Sequence, residues 1–239
     1  MIDDYDSLAV AYSKSHDKPD KKYSMGPTMM SLLSPLEGKV ILDIACGDGF
    51  FTRQLAARAA RVYGIDNSPE QIKRACATGG ANIEYILGDM RTTQLPACDG
   101  ICMPFVFNCL ETRAEMAALF KKFHHALSKG GMMVGIVDMP RWPVHDNKKF
   151  GAVKRIPSGV LAEGAPMDIE LYNGDAHITT LHGVYHTRKA LSFALHEAGF
   201  TPVIWHPPQV SAEGLRVMGR DFWEEYLARS DVEYVHVMK

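Results

Sequence analysis

The chain has 239 residues, 46% of them hydrophobic and 23% charged, with a formal net charge of −2 at pH 7. That length suffices for one large core or two small ones, and the charge offers no general attraction to nucleic acid. No apolar run reaches the roughly 20 residues of a membrane span, and the acidic start M-I-D-D-Y-D lacks an apolar signal segment, so a cytoplasmic protein is expected.

Cys46, Cys76, Cys98, Cys102 and Cys109 form no C-x-x-C pair. They read as buried free thiols of a reducing compartment rather than zinc ligands, and no metal is expected.

In chain order, residues 3–15 read as a helix with Tyr5, Leu8, Ala9 and Tyr12 on one face. Lys18 to Lys22 is a polar break, and Tyr23 to Leu33 resumes as a helix. Tyr5, Tyr12 and Tyr23 serve equally well as packing residues or as parts of a lid. Val40 to Leu42 is a short β-branched run closed by Asp43; Gly47 and Gly49 follow at a turn, and a helical pattern begins at once. This is a buried parallel strand, a glycine turn and a helix whose N-terminus offers unpaired N–H groups. A dinucleotide site needs G-x-G-x-x-G, but Thr52 stands where the third glycine would be. With no basic residue in the loop and an acid just inside it, the loop suits a nucleoside cofactor that lacks a pyrophosphate and carries positive charge.

Two more strands follow, Arg61 to Ile65 and Asn82 to Leu87, ending at Asp66 and Asp89. An acid after the second strand accepts hydrogen bonds from ribose hydroxyls. Asn67 or Ser68 can cap the next helix, which leaves Asp66 for the ligand. In a parallel sheet Asp43, Asp66 and Asp89 converge on the crevice where ligands bind. The fourth strand covers Gly100 to Met103, a helix Glu111 to Leu127, and the fifth strand Met132 to Val137. From Asp138 to about Glu170 the chain is rich in proline, glycine and positive charge. Met167 to Tyr172 and Ala176 to Tyr185 read as a hairpin turned at Asn173-Gly174-Asp175. The segment is therefore read as an inserted cap made of a loop and a hairpin. A helix from Thr187 to Ala198, a strand from Pro202 to Trp205, a helix near Gly219 to Arg229 and a last strand from Glu233 to Met238 complete the chain.

The pattern D-x-x-C-G-D-G at Asp43 to Gly49 resembles the first motif of class I methyltransferases, with Ala45 in place of the commoner first glycine. The opening Y-D-S-L-A-V-A-Y, the Lys22-Tyr23 pair, E-G-A-P at Glu163 to Pro166, W-H-P-P-Q-V-S-A-E-G and G-R-D-F-W resemble one branch, the toxoflavin-synthase-type enzymes. The hairpin stretch L-H-G-V-Y-H-T departs from that branch, which leaves the acceptor open.

The resemblance implies a Rossmann-like α/β fold: a mostly parallel seven-stranded sheet with helices on both faces, an N-terminal helical lid and an inserted loop-hairpin cap after the fifth strand. A single domain is expected, with residues 1–35 as lid, 36–137 as cofactor-binding core, 138–186 as substrate cap and 187–239 as the C-terminal part of the core. The resemblance also implies S-adenosylmethionine as cofactor. Tyr12, Tyr23, Asp43, Ala45, Cys46, Gly47, Asp66, Asn67, Asp89, Met90, Phe105 and Asn108 are its candidate contacts. Asp89 and Met90 would lie at the adenine, and Phe105, Phe107 and Asn108 at the methyl-transfer site.

N-methylation of a small heterocyclic or natural-product acceptor is the implied reaction, driven mainly by orientation. O- or C-methylation, action on RNA or protein, a catalytically silent S-adenosylmethionine-binding module and a nicotinamide-dependent oxidoreductase are the alternatives. Trp142, Tyr172, Tyr185 and His186 are candidate acceptor-pocket residues, and His145, His177, His182, His186 and His206 are candidate bases. No membrane or nucleic-acid partner is expected.

Overall fold

A computed structural model describes residues 18–239. The helix expected over residues 3–15, with Tyr5 and Tyr12, lies outside the described residues. A wide π turn, Lys21–Met25, runs into α1 (Gly26–Leu32). Then come β1 (Val40–Ile44), α2 (Phe50–Ala56), β2 (Arg61–Asp66), α3 (Pro69–Ala77), β3 (Ile83–Leu87), β4 (Cys98–Pro104), α4 (Arg113–Ala126) and β5 (Leu127–Asp138). After four further strands, α5 (Arg188–Glu197), β10 (Val203–His206), α6 (Ala212–Met218), α7 (Arg220–Ala228) and β11 (Val232–Met238) close the chain.

The main sheet has the order β10-β11-β5-β4-β1-β2-β3. β1 to β5 pair in parallel, whereas β11 runs antiparallel to both β5 and β10. Central strands covered on both faces need apolar side chains on both. Leu42, Ile101 and Met103 pack under α4 and α5, while Ile41, Cys102 and Val134 pack under α1 and α2. Local signals set the helix starts. Ser68, Thr112, Thr187 and Ser211 each accept a hydrogen bond from the backbone N–H three residues on.

The inserted segment is larger than a loop and a hairpin. β6 (Val144–Asn147), β7 (Ala152–Arg155), β8 (Ala165–Asn173) and β9 (Ala176–Tyr185) form their own antiparallel four-stranded sheet. The β8–β9 turn falls at Gly174-Asp175, with Gly174 at φ 58°. β6 and β7 escaped the sequence reading because their inward positions are polar: His145, Asn147 and Lys154 are buried. Asn147 and Lys154 reach the acids Asp231 and Asp138, and His145 the Arg229 carbonyl, so the strands lack the apolar alternation that marks a half-buried strand. An apolar cluster of Ile156, Ala165, Met167, Ile169 and Leu181 holds this cap sheet together.

Candidate active site

Two cavities open beside the C-terminal ends of β1 to β5. The first, of about 810 Å³, is walled by Ala45, Gly47, Ile65, Asp66, Asn67, Gln71, Gly88, Asp89, Met90, Arg91, Pro104, Phe105, Val106 and Cys109. Gly47 has φ 56°, and a Cβ built on it would meet nothing nearer than Gln71 Oε1 at 4.0 Å. Its bare face therefore opens onto the cavity, which is where glycine lets a ligand approach the backbone. Gly49 serves a different purpose: a Cβ there would lie 2.3 Å from the Tyr85 hydroxyl, so it makes room for packing.

Asp66 Oδ2 accepts from the Gly47 N–H at 2.8 Å, and Oδ1 accepts from the Ser68 N–H at 2.9 Å. Ser68 caps α3, as the sequence allowed, and Asp66 ties the glycine loop to that cap. Asp89 accepts from both the backbone and the side chain of Arg91. Burial pushes its carboxyl up, but the Arg91 bonds outweigh burial and hold it below the ordinary carboxylate range. Gln71, 2% exposed, keeps its Oε1 buried with no hydrogen-bond partner, an acceptor waiting for a donor from within the cavity.

Phe105 stands at φ 62°, an unusual backbone for a bulky residue, and lines both cavities, as does Cys109. Strain of this kind gathers at functional sites. The second cavity, of about 830 Å³, lies between the cap sheet, the ends of β5 and β11, α7 and the π turn. Its apolar wall includes Met25, Phe150, Ile169, Leu171 and Leu181; its polar wall includes Asp20, Lys21, Asp138, Lys154, Asp231 and Tyr226. Lys154, 2% exposed, pairs with Asp138 Oδ1 and with Asp231 Oδ2 at 2.9 Å, and donates to the Asp231 carbonyl at 2.9 Å. Burial alone would lower the lysine pKa, but the two carboxylates outweigh it and keep the ammonium charged.

Seven predicted cofactor contacts lie in the first cavity: Ala45, Gly47, Asp66, Asn67, Asp89, Met90 and Phe105. Others lie elsewhere. Tyr12 is outside the described residues. Tyr23 packs with Phe150, Trp223 and Tyr226, because the π turn swings its ring toward the C-terminal helices. Asp43 is fully buried behind the loop and accepts from Thr52 Oγ1 at 2.6 Å; burial pushes its carboxyl up to about 7, against the pull of that bond and of Cys102. The Cys46 side chain is buried beneath the loop beside Gly64. Asn108 belongs to the second cavity, where its amide is fully engaged. Nδ2 donates to the Asp138 and Val184 carbonyls at 3.2 and 3.0 Å, and Oδ1 accepts from the Asp138 N–H at 2.9 Å.

The predicted acceptor-side residues line neither cavity. Trp142 is 45% exposed, held on the surface by His145 and the Arg229 guanidinium. Tyr185 packs into the cap's own apolar cluster. His186 is buried between Glu163 and the Leu110 carbonyl, a structural post whose two nitrogens are both used. Tyr172 lines an outer groove with Lys18 and Lys148 and donates to Glu170. Of the candidate bases, His182 alone is in the cavity wall. His145 bridges the Arg141 N–H and the Arg229 carbonyl, and burial lowers its pKa. His177 bonds Thr180, and His206 packs near His236.

Gln71 and Lys154 went unread because their signals are tertiary: one is an ordinary helix residue, the other part of a basic-looking loop. Asp138 had a local signal, since it ends β5 as Asp66 ends β2.

An S-adenosyl cofactor fits the first cavity on three observations. Gly47 leaves its face open, Gln71 Oε1 lacks a donor, and acids stand at or just beyond the β2 and β3 ends, beside the apolar Ile65, Met90 and Val106.

Residues 41–131 match the protein family described as "Methyltransferase domain". Over 142 residues the chain is 28% identical to a ubiquinone biosynthesis O-methyltransferase of Xylella fastidiosa (strain 9a5c), a match covering 55% of this chain and 56% of that protein. The chain thus spans about half the length of that curated relative. The crystal structure of an S-adenosylmethionine-dependent methyltransferase from Mesorhizobium loti superposes with a TM-score of 0.66 at 20% identity, covering 94% of this chain and 100% of that one. The DhpI-SAM-HEP complex superposes at 0.65 with 16% identity, covering 98% and 93%. The structural likenesses establish the fold, that of S-adenosylmethionine-dependent methyltransferases, and residues 41–131 carry the match to the methyltransferase domain.

Proposed function

We propose that the chain holds S-adenosylmethionine in the first cavity and transfers its methyl to a small molecule held in the second. The observation that carries this reading is the contact between the two cavities: Phe105 and Cys109 wall both. In this reading Gly47, Asp66, Asn67, Gln71, Asp89 and Met90 hold the cofactor. When bound, the cofactor supplies a methyl already activated by its sulfonium. The chain's residues then have to align the acceptor and exclude water, and orientation of this kind is worth roughly 7–11 kcal/mol of a barrier. The cap sheet closes the acceptor side with the apolar residues Phe150, Ile169, Leu171 and Leu181. That enclosure favours a small molecule over RNA or protein.

The toxoflavin-type resemblance supports a heterocyclic nitrogen as the methylated atom, with a phenol oxygen as the second possibility. No helix of the described residues is long and apolar enough to cross a membrane. The free thiols Cys46, Cys76, Cys98, Cys102 and Cys109 suit the cytoplasm.

The test has two steps. Calorimetry with S-adenosylhomocysteine should show binding. Labelled S-adenosylmethionine offered with nitrogen heterocycles, phenols and carboxylates should label a product. Binding without labelling across the panel would favour a silent cofactor-binding module, and NADH binding in its place would overturn the reading.

A further inference from the structure

The second cavity has a polar wall whose engaged and unengaged groups differ sharply. Among the carboxylates that line it, Asp138 and Asp231 are committed to Lys154, and Asp231 also accepts from Asn147 Nδ2 at 3.0 Å. Asp20 is different. It is 5% exposed, yet its Oδ1 has no hydrogen-bond partner. The Tyr226 hydroxyl, in the same wall, is buried without a partner as well. A buried carboxylate oxygen left unpaired costs stability, and native structures keep such groups where a ligand completes them.

The local backbone explains how Asp20 comes to be there. It directly precedes the π turn, in which the Gly26 N–H reaches back to the Lys21 carbonyl. π turns are rare and recur at functional sites. This one leaves Asp20, Lys21 and Met25 together in the cavity wall.

We propose that Asp20 is the base that takes the proton from the acceptor atom, and that the acceptor is accordingly a neutral N–H heterocycle or phenol. This rests on the methyl-transfer reading above. The acceptor atom gives its proton to Asp20 Oδ1 while its lone pair forms the bond to the methyl carbon. The carbon–sulfur electron pair remains on the sulfur of S-adenosylhomocysteine, and the neutral Asp20 acid returns its proton to water.

The surroundings suit a base that works near neutrality. Burial pushes the Asp20 carboxyl up to about 6, opposed by Lys21 and Lys18 on its own segment and reinforced by Asp231 ahead of β11. Tyr226 of α7 and Tyr234 of β11 also face it, both as neutral phenols whose own ionisation Asp20 further opposes. His182, the alternative base in the wall, has its side chain 58% exposed and lies 3.9 Å from Asp168.

The test compares the parent with Asp20→Asn and Asp20→Glu. Carbon-13 carboxyl NMR of the parent should show a resonance titrating near pH 6 that is missing from Asp20→Asn. Calorimetry with S-adenosylhomocysteine should give the same affinity in all three. With the fastest-methylated member of a panel of N–H azoles and phenols, Asp20→Asn should lose about 10²- to 10⁴-fold in kcat and the acidic limb of the pH profile. Asp20→Glu should recover part of both. Asp20→Asn should melt no lower than the parent at pH 8, since it removes a buried charge.

Parent-like kcat and pH profile in Asp20→Asn would overturn the role of Asp20 alone. If that variant fails to fold, a parent spectrum with no carboxyl resonance titrating near pH 6 is the overturning result. If the parent methylates carboxylates but no N–H azole or phenol, the role of Asp20 falls alone; if it binds S-adenosylhomocysteine and methylates none of the three classes, the methyl-transfer reading falls and this role with it.

Discussion

Gly47 and Gly49 both have positive φ, at 56° and 86°, yet a side chain at each would meet different surroundings. Gly47→Ala adds a methyl that points into the first cavity. Its backbone cost is bearable, since Ala45 already stands at φ 54° two residues earlier, and left-handed backbone costs an alanine about 1–2 kcal/mol. This variant should therefore fold, while its S-adenosylhomocysteine affinity falls at least about tenfold, roughly 1.4 kcal/mol by calorimetry. Gly49→Ala should show the reverse emphasis. Its Cβ collides with the Tyr85 hydroxyl, so thermal melting should drop by several degrees while binding by the folded fraction changes less. Equal effects at both positions would mean that neither opens onto the ligand. Asp66→Ala removes the acceptor of the Gly47 and Ser68 N–H bonds. Bonds to a charged group are worth about 1.5–3 kcal/mol, and affinity should weaken by that order. Unchanged affinity would take Asp66 out of the site. Its proposed ligand role comes from its place at the end of β2; its task of bracing the glycine loop had no local signal in the sequence.

At the scale of elements, two of the buried points that fasten the cap sheet to the main sheet can be tested. One is Asn108, whose amide bridges the turn after β4, the end of β5 and the Val184 carbonyl of β9. Gly183 packs close by, where a Cβ would lie 3.0 Å from the Asn108 carbonyl. Asn108→Ala leaves buried backbone groups without partners, and should cost about 1–3 kcal/mol in denaturant unfolding. The other point is Lys154 of β7, which reaches across to Asp138 and Asp231. Lys154→Met strands two buried carboxylates and should destabilise by about 3–5 kcal/mol. A loss below about 1 kcal/mol would show that water, rather than the lysine, solvates those acids. Tyr185→Ala belongs at this scale too: with the ring in the cap's own cluster, the variant should melt lower and leave the acceptor KM of its folded fraction unchanged. A raised KM at parent-like stability would put the ring back in the pocket. The β8–β9 hairpin could be read because Asn-Gly marks a turn and the strands alternate. β6 and β7 could not, because their buried positions hold His145, Asn147 and Lys154, each of which has a partner, Arg229 or Asp231, more than 70 residues away in sequence.

Two buried carboxyls, Asp20 raised to about 6 and Asp43 raised to about 7, contribute to the pH dependence of the whole molecule. Both are acids whose folded pKa lies above the unfolded value, so the folded state holds their protons more tightly. Their contribution to stability is complete below about pH 4 and is lost as pH rises through 6 and 7. Carboxyls held low, such as Asp89 and Asp231, are ionised in both states above about pH 5 and leave that window unaffected. Their share of stability should therefore fall between about pH 4 and 7, opposed by His124, His145 and His236, whose pKa burial lowers, and Asp43→Asn should remove the upper part of that fall from the melting profile. At about 1.4 kcal/mol per unit, the Asp43 share is on the order of 4 kcal/mol. Parallel melting profiles for the parent and Asp43→Asn would mean that Asp43 is not desolvated as the fold implies. The sequence by itself determined the alternation of strands and helices, the glycine loop and the acids at Asp66 and Asp89, because periodicity, turn chemistry and strand-end position are local properties of the chain. Tertiary structure alone decided which polar residues face the second cavity. Asp20, Lys154 and Asp231 come from three distant segments, and each is kept in the interior by charges or a cavity that no local pattern encodes.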